Sequence, residues 1–98
     1  MFEHLSFLLP AERLHETTTL VAFRHPRPAH KTHILIVPKA ARPDVAALTA
    51  DDAAFMVDLC ATVGILAAQL DLKAYRLVTN GGAYQDVPQL HFHLIVDE

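Results

Sequence analysis

Gln89-Leu90-His91-Phe92-His93-Leu94-Ile95 alternates polar and apolar side chains from Gln89 through Leu94. Successive side chains of a β-strand point to opposite faces, so Leu90 to Val96 reads as a strand with Leu90, Phe92 and Leu94 on one face. Gln89, His91 and His93 share the other. The first face belongs to a core, and the second carries chemistry or meets solvent. Same-face neighbours stand about 7 Å apart along a strand, close enough for two imidazoles to address one phosphate group or one metal ion. Imidazole suits such work near neutral pH, attacking as the neutral ring and donating protons as the cation. A half-exposed strand that merely holds two histidines, or a metal-ligand pair, are the other readings of His-x-His.

Upstream, His33 to Val37 is a run of Ile, Leu and Val closed by Pro38, which predicts a buried strand. Ala74 to Thr79 predicts another, followed by Asn80-Gly81-Gly82, residues that accept positive φ. Between these strands Thr49 predicts the cap of a helix over Ala50 to Leu70, with Asp51 and Asp52 at the positive end of its dipole. Phe55, Met56, Leu59, Val63, Leu66 and Leu70 recur at helical spacing and make its core face, while Cys60 and the alanines keep its flanks small. So little polar surface predicts a helix covered on more than one side, with Cys60 as a packing residue. Arg13 to Phe23, rich in Thr, Leu and Val, predicts one or two strands ending at His25-Pro26-Arg27-Pro28. Met1 to Pro10 reads as a brief helix or an edge strand. One long helix among these strands makes an α+β domain with an antiparallel sheet of about five strands and a short N-terminal helix.

The chain of 98 residues is 52% apolar and 19% charged with net charge −3, which describes one small globular domain, 1–98, without repeats or linkers. A chain this short buries only roughly two-thirds of its surface. The single cysteine excludes an intrachain disulfide and any four-cysteine zinc module, so self-association is the expected source of added stability. A mildly acidic balance gives no basic field for nucleic acid. Glu3, His4 and Pro10 interrupt any secretion signal, and Asp58, Gln69 and Asp71 within the apolar window 53–72 favour a buried helix over a membrane span. A cytoplasmic protein is expected, with neither nucleic acid nor membrane as partner.

Two separated segments carry a resemblance. Asn80-Gly81-Gly82, Gln85 and Val87-Pro88-Gln89-Leu90-His91-Phe92-His93-Leu94-Ile95 resemble the asparagine, glutamine and alternating-histidine signature of the histidine triad (HIT) superfamily of nucleotide hydrolases and transferases. Thr32-His33-Ile34-Leu35-Ile36-Val37-Pro38-Lys39 resembles its histidine-led strand. The resemblance implies a HIT-like fold, a homodimer whose sheets extend across a two-fold axis, and a nucleotide-type small-molecule substrate with no cofactor. It implies that His91 is the nucleophile, attacking an α-phosphate to form a covalent nucleotidyl-histidine that water then hydrolyses. His93 corresponds to the third histidine, bonded to phosphate oxygens; Asn80 and Gln85 lie near ribose and phosphate, and His33 lines the same pocket. Read without the resemblance, Asn80 serves a turn, Gln85 and Asp86 are loop polarity, and His33 is a hydrogen-bonded histidine at the core margin. His4, His15, His25 and His30 show no periodic relation to the pair and receive no role.

Three positions depart from the family pattern. Gln89 stands at the first triad histidine, a catalytic position; it can hydrogen-bond but cannot carry charge or pass a proton. His25 stands where an aspartate often holds the ribose hydroxyls, and Asp86 where a small hydroxyl residue is common beside the phosphate. The sequence ends at Glu98, just past the motif, so a tail of the kind that often shapes leaving-group specificity in the family is not expected. The leading expectation is a phosphoramidase or dinucleotide hydrolase acting through His91. A nucleotide- or phosphate-binding protein without turnover and a metal site of His91, His93 and His33 are the alternatives.

Overall fold

The computed structural model describes residues 13–97, so the expectation for Met1–Pro10 lies outside the described residues. Five strands, β1 (Arg13–Glu16), β2 (Leu20–Arg24), β3 (Thr32–Pro38), β4 (Arg76–Thr79) and β5 (Phe92–Val96), form one sheet in the order β1-β2-β3-β5-β4. Every neighbouring pair is antiparallel. Arg13 to Phe23 thus makes two strands rather than one. The turn between them is held by Thr17, whose hydroxyl accepts from the amides of Thr19 and Leu20. Both threonine hydroxyls donate to Asp58 of the helix, at 3.1 and 2.6 Å. One of the polar interruptions of the apolar window therefore ties a hairpin to the helix.

The helix α1 (Ala53–Gln69) follows a 3-10 turn at Ala50–Asp52, so α-helical geometry starts three residues later than expected. Thr49 and Asp52 form a reciprocal capping box. Asp52 also meets Arg42 at 3.0 Å, and the Thr49 amide followed by Arg42 holds its carboxyl below the usual range. Asp71, at φ 54, turns the chain after the helix, with the Leu72 amide returning to Ala67 and the Asp71 amide to Ala68. These are the two bonds of a Schellman motif, with aspartate where glycine is usual.

Strand alternation sends Leu20, Ala22, Ile34, Ile36, Phe92 and Leu94 against Phe55, Leu59, Val63 and Leu66 of α1. Full burial of such a side chain is worth about 1.5–3 kcal/mol, and this layer fixes which strand face is left for chemistry. On that opposite face Val21, Phe23, Leu35 and Val37 form a second apolar cluster. The helix is not covered all round in the single chain. Val57 is 68% exposed, and Cys60, Ala61, Gly64 and Ala68 join it in one outward stripe, so Cys60 is a surface residue and not core packing. β4 is likewise an exposed sheet edge.

Candidate functional site

β5 is shorter than its alternating pattern because β3 pairs with it only as far as Phe92. His91 sits one residue before the ladder. Its place is set instead by Thr79, which donates to the His91 carbonyl at 2.8 Å, and by the Leu90 amide on the Arg42 carbonyl at 2.8 Å. The alternation persists through this lead-in, so His91 and His93 share a face with ring centroids 5.0 Å apart.

Fixed backbone donors and acceptors define the protonation of each ring. His91 Nδ1 lies 2.7 Å from the Gln89 carbonyl. A carbonyl only accepts, so Nδ1 carries a proton and the lone pair of the neutral ring lies on Nε2. His33 Nδ1 accepts from the Ala29 amide at 3.2 Å, which places the proton of the neutral ring on Nε2. That proton is donated to His93 Nδ1 at 2.8 Å, leaving the neutral His93 ring with Nε2–H as a donor. Burial, reinforced by neighbouring histidines, lowers both His33 and His93 to about 4, so the two rings are neutral at pH 7. A lone pair on His91 thus stands beside an N–H on His93. One can attack phosphorus, and the other can bond its oxygens.

His25 and His30, to which the sequence pattern assigned no role, also belong to this cluster. His25 stacks on His33 with centroids 4.3 Å apart, and burial followed by repulsion from His91 lowers its pKa. His30 meets the His33 ring edge-on at 5.1 Å. The signal for His25 lay in the strand register: pairing Arg24 with Ile34 continues to His25 opposite His33, whose carbonyl accepts the His25 amide at 2.8 Å. His30 carries no such signal, because it lies in the irregular turn between β2 and β3.

Asn80 borders an open depression of about 190 Å³ with His30, His33, Val78, His93 and Ile95. The positive φ expected across residues 80–82 is confined to Gly82, at φ 60. Asn80 is therefore not placed for left-handed backbone. Gln85 points elsewhere, donating to the Pro43 carbonyl at 2.8 Å, and the buried Gln89 side chain donates to the Ala40 carbonyl at 3.3 Å. Both amides clamp the loop after β3 and do not converge on the imidazoles. Asp86 is exposed and close enough to favour protonated His25 and His93.

His33 Nε2 and His93 Nδ1 face each other directly at hydrogen-bond distance, which leaves no room for an ion between them. Among the described residues, no three His, Cys, Asp or Glu side chains converge in a way that could hold a metal ion. No helix among them is long and apolar enough to cross a membrane.

A family model described as the HIT domain matches residues 7–98. The chain belongs to the HIT family. An uncharacterized HIT-like protein of Synechococcus elongatus is 37% identical over 90 residues, covering 89% of this chain and 79% of the relative. A HIT family hydrolase from Legionella pneumophila superposes with TM-score 0.82 at 31% identity, covering 92% of this chain and 84% of that one. A HIT family hydrolase from Clostridium thermocellum gives 0.83 at 32%, covering 93% and 83%. The five-stranded antiparallel sheet with one long helix is thus the HIT fold, and these two solved structures that share it are named HIT family hydrolases.

Proposed function

We propose that this HIT domain cleaves nucleotide conjugates at the α-phosphate through a covalent nucleotidyl group on His91. The observation that carries the reading is the 2.7 Å contact from His91 Nδ1 to the Gln89 carbonyl. It makes Nε2 the nucleophile and sets an acceptor against the positive charge that the ring gains when Nε2 bonds to phosphorus. The contact uses main chain, so glutamine at residue 89 supplies it as well as histidine would. In the first step Nε2 gives its lone pair to phosphorus while the bond to the leaving group breaks, and the His93 Nε2–H bonds a non-bridging oxygen. In the second, water attacks the same phosphorus, the P–N bond breaks, His91 regains its lone pair, and the water's proton passes to solvent.

With glutamine at residue 89, that position supplies no acid for the leaving group. A phosphate leaves as an anion and needs no proton, whereas an amine must acquire one, and the Gln89 amide cannot release one. Diadenosine polyphosphate is therefore expected to release AMP faster than adenosine 5′-phosphoramidate does. Incubation with each substrate tests the activity; no release of AMP from folded protein would favour nucleotide binding without turnover.

A homodimer belongs to the same proposal. The exposed edge of β4, with Leu77 and Val78 at 38% and 36% exposure, and the outward apolar stripe of α1 support it. Light scattering during size exclusion is expected to give twice the chain mass at micromolar concentration, and a monodisperse monomer would contradict it.

A further inference from the structure

We propose that His30, held by Asp97, is a positioning residue that sets the tautomers of His33 and His93 by anchoring the turn between β2 and β3. This turn contains Pro26 and Pro28, which have no amide proton. At its base the His25 amide bonds the His33 carbonyl. At its far side His30 Nδ1 lies 2.8 Å from Asp97 Oδ1, while Arg76 Nε holds the other carboxylate oxygen at 2.8 Å. Hydrogen bonding from Arg76 is the main cause that lowers the Asp97 pKa, so the carboxylate is ionised and accepts the His30 proton.

Ala29, immediately before His30, provides the amide that bonds His33 Nδ1. That single amide sets the direction of the whole chain: Ala29 N–H to His33 Nδ1, His33 Nε2–H to His93 Nδ1, and His93 Nε2–H toward the site. With Ala29 displaced, a proton can occupy His33 Nδ1 and the chain can run backwards. His93 would then carry its proton on Nδ1, and its Nε2 lone pair would face phosphate oxygens it should be donating to. The neutrality of both rings at pH 7 makes the tautomer, and not the charge, the variable that His30 controls. The edge-on packing of His30 against His33 adds a second constraint on the same ring.

The tautomers are readable directly by long-range proton–nitrogen NMR of 15N-labelled protein at pH 7.5, without turnover. Wild type is expected to show His33 and His93 protonated on Nε2. In His30→Ala and Asp97→Ala, His93 is expected to populate the Nδ1–H form, and turnover is expected to fall by about tenfold or more, as when a catalytic imidazole takes the wrong tautomer. His30→Asn places an amide N–H near the former Nδ1 and is expected to restore the Nε2–H forms and to turn over faster than His30→Ala. Wild-type tautomers in folded His30→Ala would overturn the proposal, as would a His30→Asn protein whose tautomers match those of His30→Ala. The catalytic consequence rests on nucleotidyl transfer through His91, but the NMR result does not. Absence of AMP release from wild type would reject that activity and leave the tautomer test intact.

Discussion

His91→Ala is expected to lower kcat/KM for release of nucleoside monophosphate by about 10⁴-fold or more, because it removes the atom that bonds to phosphorus. What stays is positioning by His93 and the surrounding pocket, which gives a small residual rate. The fold should survive. His91 precedes the β5 ladder, and the contacts that fix its backbone come from Thr79 and, through Leu90, from Arg42. Steady-state rates alongside a thermal melt check the prediction. A folded variant retaining activity within tenfold of wild type would assign the attack to water or to another residue.

Acidification is expected to weaken the folded state between pH 6.5 and 4.5. Burial lowers His33 and His93 from 6.5 to about 4, so over that interval the unfolded chain binds protons that the folded chain refuses. Stability is fully present above the unfolded value of 6.5 and is lost as pH falls toward the folded value of about 4. The carboxyls lowered by partners, Glu16, Asp52 and Asp97, withdraw their contribution as pH falls through and below their ordinary carboxylate range. The upper part of the interval therefore isolates the histidines. A fall in Tm of roughly 10 °C between pH 7 and 4.5 is expected. Scanning calorimetry across this range checks it, and a flat Tm down to pH 4.5 would contradict the assignment of two neutral, desolvated rings.

The strands nearest the site were legible in the sequence because their two faces have different tasks. Alternation at Leu90 to Leu94 separates core from site, and the run of Ile, Leu and Val at 34–37 marks a strand buried on both sides. Thr49 announced the helix, but Ala50–Asp52 form a 3-10 turn in which Asp52 both closes the capping box and meets Arg42, a distant partner that the local pattern does not reveal. Local periodicity had no access to what sits opposite a residue. It made Cys60 a packing residue on the helix flank when it faces outward, and the family resemblance gave Gln85 and Gln89 to the site, where each amide N–H instead meets a loop carbonyl. His25 was within reach of register reasoning. His30 was not, since its value depends on Asp97, 67 positions away in sequence, arriving beside an irregular turn.

The covalent step can be tested by mixing the protein with diadenosine polyphosphate, quenching within the first turnover, and mapping the modified peptide by mass spectrometry under conditions that preserve phosphorus–nitrogen bonds. The expected result is one nucleotidyl group on His91, formed before AMP appears and absent from His91→Ala. AMP release with no protein adduct at any time point, or with the adduct on a residue other than His91, would contradict the account.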